Sequence, residues 1–173
     1  MAVEGGSKVI VELTPRGTRG WEPPQWLRPL LGVMARMQVR LYHRFGNRMR
    51  VQGRPVLLLT TLGAKTSKVR QTVLCWFPGG DHPDTADGDT SWLVVASAAG
   101  AAKHPAWYVN LARHPDHASI EIGGRQVKVE PESLRGAERA QAWRQVIALA
   151  PGYATYQEKT DREIPIIRLR TSP

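Results

Sequence analysis

Several things are scarce in this chain, and each shortage excludes a class of function. Its 173 residues hold one cysteine, Cys75, so an intrachain disulfide is excluded and a reducing cytoplasm is the expected compartment. No run approaches about 18 apolar residues, and no charged start leads into a long apolar stretch, so neither a spanning segment nor a secretory signal is expected. The five histidines, His43, His82, His104, His114 and His117, form no helical pair beside a carboxylate, and no metal site is expected. There is no Gly-x-Ser-x-Gly elbow and no His-Glu-x-x-His, and Cys75 has no activating neighbour in sequence, so side chains alone point to no hydrolysis. Acids are few: 15 Asp and Glu stand against 24 Lys and Arg, for a net charge of +9. The excess lies at the front, where residues 1–50 oppose nine cations with only Glu4, Glu12 and Glu22. Such a bias suits a polyanionic ligand, an anionic lipid surface or nucleic acid.

What is present fits one domain behind an arm. A chain of this length buries a sizeable core without a disulfide or structural metal. Residues 1–25, with Pro15, Pro23, Pro24 and several glycines, read as an extended or partly mobile arm, and 26–173 as a single domain. Over 26–50 the pattern is helical, with Leu30, Val33, Met34, Met37, Leu41 and Phe45 on one side and Arg36, Arg40, Arg44 and Arg48 every four residues on another. The favoured reading packs the apolar side on the core and leaves the arginines in water; a lipid or nucleic-acid surface is the alternative. Strands are expected over 56–61, 71–77, 91–96, 117–122 and 125–130, the last two joined by a Gly123-Gly124 turn. Between the second and third strands, 78–89 is a polar, acidic loop. Helices are expected over 105–113, over 134–149 with Ser133 as N-cap, and over 153–160, before a closing strand over 165–170. Short strands with helices inserted suggest an α+β small barrel or curled sheet.

Three segments suit ligand binding. Leu62-Gly63-Ala64-Lys65-Thr66-Ser67-Lys68-Val69-Arg70 lies between two strands, with three cations, two hydroxyls and a run of N–H groups that begins at a glycine. This is the composition of a backbone nest for phosphate or carboxylate, and a solvated basic hairpin loop is the alternative. It is no P-loop, because Ala64 separates Gly63 from Lys65 and a strand follows. Ala96-Ser97-Ala98-Ala99-Gly100-Ala101-Ala102-Lys103 follows a strand with side chains small enough for a planar ligand to approach the backbone; an ordinary connection is the alternative. Tyr153 and Tyr156 lie three apart, so two phenols can share one pocket or simply pack.

Together with Lys103-His104-Pro105-Ala106-Trp107-Tyr108-Val109-Asn110-Leu111 and Thr160-Asp161-Arg162-Glu163-Ile164-Pro165, these segments resemble the deazaflavin-dependent nitroreductases of actinobacteria, in the same order over roughly 30–170. The resemblance implies a split β-barrel, FMN-binding-like, with an N-terminal helix and peripheral helices. It also implies an 8-hydroxy-5-deazaflavin, coenzyme F420, with a phosphodiester and an oligoglutamate tail. By that resemblance Lys65, Thr66, Ser67 and Arg70 meet the phosphate and tail, and Gln71, Thr72, Val73, Leu74 and Cys75 line the deazaflavin. Ala96, Ser97 and Ala98 face its ring, Trp107, Tyr108 and Asn110 close the groove, and Tyr153 and Tyr156 cap the substrate side. The implied activity is hydride transfer to a small electron-poor acceptor, a nitroaromatic, quinone or activated enone, with Tyr153, Tyr156 or Ser97 bonding the developing anion. No nucleic-acid partner is implied, and the chain is monomeric or a homodimer. Departures from the family pattern, Ala64, Thr66 and Ser67 around the lysine, Ala150 for a tyrosine and Cys75 for an aromatic, imply altered anion affinity and a wider, less phenolic pocket. The alternatives are an FMN-dependent oxidoreductase and a non-enzymatic anion or lipid binder, the latter making the arginine helix a peripheral membrane contact.

Overall fold

Alternation of apolar residues with period two lays out the centre of the molecule, which the computed structural model describes for residues 11–79 and 91–172. The elements run α1 Arg28–Phe45, β1 Arg50–Val51, β2 Arg54–Leu62, β3 Val69–Cys75, β4 Phe77–Pro78, β5 Ser91–Val95, α2 Ala106–Arg113, β6 Ser119–Ile122, β7 Arg125–Ser133, α3 Gly136–Leu149, α4 Gly152–Lys159 and β8 Ile166–Thr171. All strand pairings are antiparallel, in the spatial order β1-β2-β6-β7-β8-β5-β4, with β3 on β2. Most of the acidic loop expected over 78–89, like the first ten residues, lies outside the described residues.

Strand β2 has both faces buried, which is why Pro55-Val56-Leu57-Leu58-Leu59 is a continuous apolar run. Leu57 and Leu59 join Val94, Ala96, Trp107, Leu111, Ile120 and Ile167 in the main core, with Leu74 of β3 packed against it. Val56 and Leu58 face the other way, with Tyr42 of α1 and Val73 and Cys75 of β3. A third cluster joins Phe77, Leu93 and Val95 to Val146 of α3 and Ile166 of β8, with Tyr153 and Tyr156 of α4 against it. Gly123 and Gly124, both at positive φ, make the expected two-residue turn between β6 and β7.

Two expectations fail here for physical reasons, and the arm is more firmly held than its composition suggests. Helix α1 does not bury its apolar side. It docks through Val39 and the fully buried Tyr42, whose hydroxyl donates to the Glu121 carbonyl at 2.5 Å. Leu30, Val33, Met34, Met37, Leu41 and Phe45 are exposed. At about 100° per residue, Arg36, Arg40 and Arg44 fall on the side away from Tyr42. Ser133 does not cap α3: it is the last residue of β7, Arg135 is the N-cap residue, and the Ser133 hydroxyl accepts the Glu12 N–H at 3.2 Å. The described part of the arm has no helix or strand before Gln25, yet it is bonded to the domain at many points. Val11 enters the main core, Gly17 N donates to the Ala102 carbonyl, and Trp21 N to that of Gly100, both at 3.0 Å. Asp161 accepts from the Thr18 hydroxyl and N–H and from Arg19 N, which holds its carboxyl below the usual range.

Candidate functional site

The β2–β3 hairpin fixes the loop that carries the cations. Register pairs Leu62 with Val69 and Thr61 with Arg70, leaving Gly63 to Lys68 as the connection. Its N–H groups do not form the expected open nest. Gly63 N donates to the Lys68 carbonyl at 2.8 Å, Thr66 N and Ser67 N to the Gly63 carbonyl at 3.1 and 2.8 Å, and Ala64 N to Asn110 Oδ1 at 2.9 Å. Three of these donors close the loop on itself because six residues must reverse the chain, with Ser67 at positive φ, and the fourth ties it to α2. What it presents outward is its side chains: Lys65, Thr66, Ser67, Lys68 and Arg70 are all exposed. Among the described residues, no carboxylate lies within ion-pair reach of Lys65, Lys68 or Arg70.

Strand alternation divides the five β3 residues assigned to one groove. Thr72 and Leu74 pair with Leu59 and Leu57 and point to the main-core side, whereas Gln71, Val73 and Cys75 pair with Thr60, Leu58 and Val56 and point toward α1. Gln71 Oε1 stands 3.5 Å from His43 Nε2 of that helix. Arg54 and Tyr153 lie beyond Cys75. Tyr153 stacks edge-on with Phe77 and with Tyr156, ring centroids 5.6 Å apart in each case, and the Arg54 guanidinium sits 5.1 Å from the Phe77 ring. The two rings therefore touch, as both the shared-pocket and the simple-packing readings allow. Burial raises the Tyr153 pKa well above its ordinary value, with Cys75 and Tyr156 adding to the shift and Arg54 opposing it. Burial likewise pushes up the Cys75 thiol, which keeps it a poor nucleophile.

Ala96, Ser97 and Ala98 follow β5. Ala96 is fully buried, while Ser97 and Ala98 are partly open, and α4 lies directly against this turn: a Cβ on Gly100 would stand 2.7 Å from the Tyr156 carbonyl. Trp107, Tyr108 and Asn110 turn inward. Trp107 packs in the main core, Tyr108 donates its hydroxyl to the Glu12 carbonyl of the arm, and Asn110, 6% exposed, donates to Thr61 Oγ1 at 3.1 Å while holding Ala64 N–H. Sequence reasoning gave no role to Arg162, Asp161, Gln157 or Arg54, because what they do here is hold backbone or neighbouring rings, which carries no motif.

The curled antiparallel sheet is that of a split-barrel oxidoreductase, and comparison with known proteins is specific on this point. The family described as F420H(2)-dependent quinone reductase matches residues 34–171, and the chain belongs to it. An F420H(2)-dependent quinone reductase of Mycobacterium tuberculosis is 35% identical over 152 residues, covering 84% of this chain and 95% of its own. Among solved structures, an F420-H2 dependent reductase, FDR-A, superposes with TM-score 0.54 at 34% identity, over 67% of this chain and 94% of that one. A structure described as a domain-swapped dimer gives TM-score 0.55 at 30% identity, over 77% and 96%. The resemblance to deazaflavin-dependent reductases read from the sequence holds: the chain is an F420-dependent oxidoreductase with a split-barrel fold.

Proposed function

We propose that the enzyme reduces quinones, with coenzyme F420 lying along β3, its tricycle at the Cys75 end beside the 96–98 shelf and its anionic tail at the Arg70 end. When bound, the reduced coenzyme supplies the hydride, since no protein side chain can. One observation carries this reading: Lys65, Lys68 and Arg70 stand exposed without acidic partners among the described residues, at one end of a strand whose other end leads into Phe77, against which Tyr153 packs. Five residues of strand at about 3.3 Å each separate Arg70 from Cys75 by about 17 Å, the reach of an elongated ligand with a ring at one end and acids at the other. Uncompensated cations suit a phosphodiester and carboxylates, and the small side chains of Ser97 and Ala98 suit a flat ring. The fit is one of side chains rather than of a backbone nest.

At the ring end, the Tyr153 phenol stays protonated at every working pH because burial raises its pKa. It donates a hydrogen bond to the acceptor's carbonyl oxygen as negative charge develops there, with Tyr156 beside it and Ser97 of the shelf as the other donors for that role. That the family and the mycobacterial relative are quinone reductases supports a quinone over a nitroaromatic or enone. The test is oxidation of the reduced coenzyme by a short-chain quinone and by a nitroaromatic in parallel. Quinone kcat/KM is expected to exceed the other by roughly tenfold or more, about 1.4 kcal/mol in the barrier. No oxidation by any quinone above background overturns the reading.

A second reading concerns where the enzyme works. Helix α1 has no acidic residue, and its exposed Val33, Met34, Met37 and Phe45 lie beside its arginines, a composition that suits the surface of an anionic bilayer, where lipophilic quinones partition. Among the described residues no helix is long and apolar enough to cross a membrane, so the contact is peripheral. Co-sedimentation with anionic but not zwitterionic vesicles, abolished by Val33→Asp with Met37→Asp, is the expected result; equal recovery of the variant refutes it. The domain-swapped dimer among the solved relatives supports pairing of two copies.

A further inference from the structure

We propose that Arg162 is a positioning residue that imposes on the 96–101 turn the shape the coenzyme ring rests against; this proposal depends on the reading of that turn as the ring shelf. After β5 the backbone takes an unusual course. Ser97 is in the right-handed helical region, and then Ala98, Ala99 and Gly100 follow at φ of 46°, 55° and 81°. Only the third of these is a glycine. An L residue in the left-handed region crowds its Cβ against backbone, and alanine has no side-chain hydrogen bond to offset it, so two successive alanines there are held from outside.

The holder is one guanidinium. Arg162 is 3% exposed, and it donates Nε to the Ala101 carbonyl at 2.8 Å and Nη2 to the Ala96 and Ser97 carbonyls at 3.0 and 2.8 Å. These three carbonyls bracket the left-handed residues on both sides, and a planar fork of donors fixes their relative orientation as no single ammonium can. Among the described residues no carboxylate is within ion-pair reach of it, and its buried Nη1 lacks a hydrogen-bond partner. A cation in that position is a poor device for stability alone, because burying it unpaired is costly.

Arg162 is itself fixed to the helix that carries the phenols. Gln157 of α4 donates to the Arg162 carbonyl at 2.8 Å and accepts the Ile164 N–H at 3.0 Å, so its amide brackets Glu163 and fixes the backbone that leaves Arg162. Gly100 packs against the Tyr156 carbonyl from the same helix. One side chain thus sets the shelf relative to Tyr153 and Tyr156, and the distance from ring to acceptor follows from that setting.

The test uses full-length Arg162→Gln and Arg162→Lys, with folding checked by melting temperature and circular dichroism. With coenzyme saturating, Arg162→Gln is expected to lower kcat with a quinone by roughly ten- to a hundredfold, the cost of about 1 Å of misplacement, while acceptor KM stays within about twofold. Arg162→Lys, reaching fewer carbonyls, loses at least about threefold, and it carries the comparison if the glutamine variant does not fold. Adding Ala98→Gly with Ala99→Gly to Arg162→Gln is expected to recover roughly threefold or more in kcat, since glycine adopts the turn without a clamp. A role in fold stability alone would move the melting temperature and give no recovery. Unchanged kcat in the folded Gln and Lys variants, or a loss that glycine does not relieve, overturns the proposal. Ser97→Trp separates the two claims. If it raises coenzyme Kd roughly tenfold while the Arg162 variants behave as wild type, the shelf stands and the clamp falls; if it leaves Kd unchanged, the shelf reading falls and the clamp with it.

Discussion

Replacing Asn110 by alanine is the perturbation whose cost follows most directly from the structure. The side chain accepts Ala64 N–H at 2.9 Å and donates to Thr61 Oγ1 at 3.1 Å, and Thr61 is 2% exposed. Losing both bonds forfeits about 1 kcal/mol each, and the stranded Thr61 hydroxyl adds about 1–3 kcal/mol where water does not reach it, for a total of about 3–5 kcal/mol. For a chain of this size each kcal/mol lowers Tm by about 2–4 °C, so a fall of about 6–20 °C is expected by calorimetry. The double variant Thr61→Val with Asn110→Leu removes both polar partners, and its cost should fall short of the summed single costs by about 0.5–3 kcal/mol. Coenzyme Kd separates anchoring from stability: both Asn110→Ala and the double variant release Ala64 and should weaken binding by roughly threefold or more, although their stabilities differ. A Tm loss under about 2 °C, or a Kd unchanged in both, refutes the view that Asn110 sets the start of the cationic loop.

Other outcomes follow from the same geometry. Tyr153→Phe removes the proposed donor to the developing oxyanion and should lower quinone kcat by roughly ten- to a hundredfold with coenzyme Kd unchanged; an equal loss in both would mean the phenol holds the coenzyme instead. Burial depresses the His104 pKa below 6.5, and the ring faces Thr14 of the arm with Arg16 and Arg162 nearby. Folded protein therefore prefers the neutral ring, so this contribution is full above pH 6.5 and declines as pH falls toward the folded value. Asp161 has the same sign at lower pH, its carboxylate being favoured by Thr18 and Arg19. Tryptic cleavage after Arg16 and Arg19 should accelerate below pH 6.5, and His104→Asn should flatten that change. Gly20→Ala places a Cβ 2.2 Å from Ala102 N, a backbone atom that cannot step aside. It should expose the same tryptic sites at neutral pH; wild-type resistance would show that the arm adjusts.

Patterning reached most of the fold because local chemistry decided it. Strand β2, the Gly123-Gly124 turn, α2, α4 and β8 stand within about two residues of where period, proline and glycine put them. What was not legible depended on partners. Amphipathicity marked α1 as a helix, but it does not say which side meets β2 and β3, and the narrow contact through Val39 and Tyr42 left the wider apolar side outside. The loop at Gly63 had the residues of a nest, yet its N–H groups close the hairpin instead. Five consecutive β3 residues were assigned to one groove through the family resemblance, and a period of two sends alternate ones to the core. Trp107, Tyr108 and Asn110 could be seen as a motif, but not that each faces inward. Arg162 stands in a segment that carries the family resemblance but has no role there, because bonds to three backbone carbonyls leave no trace in residue types.

Coenzyme affinity as a function of salt, in wild type and in Lys65→Ala with Arg70→Ala, tests the central claim most directly. If the tail lies over these exposed cations, the double variant raises Kd by roughly tenfold at low ionic strength, about 1.4 kcal/mol from two surface charges, and the gap narrows as salt screens the wild type. Identical Kd and identical salt slopes in the two proteins would contradict it.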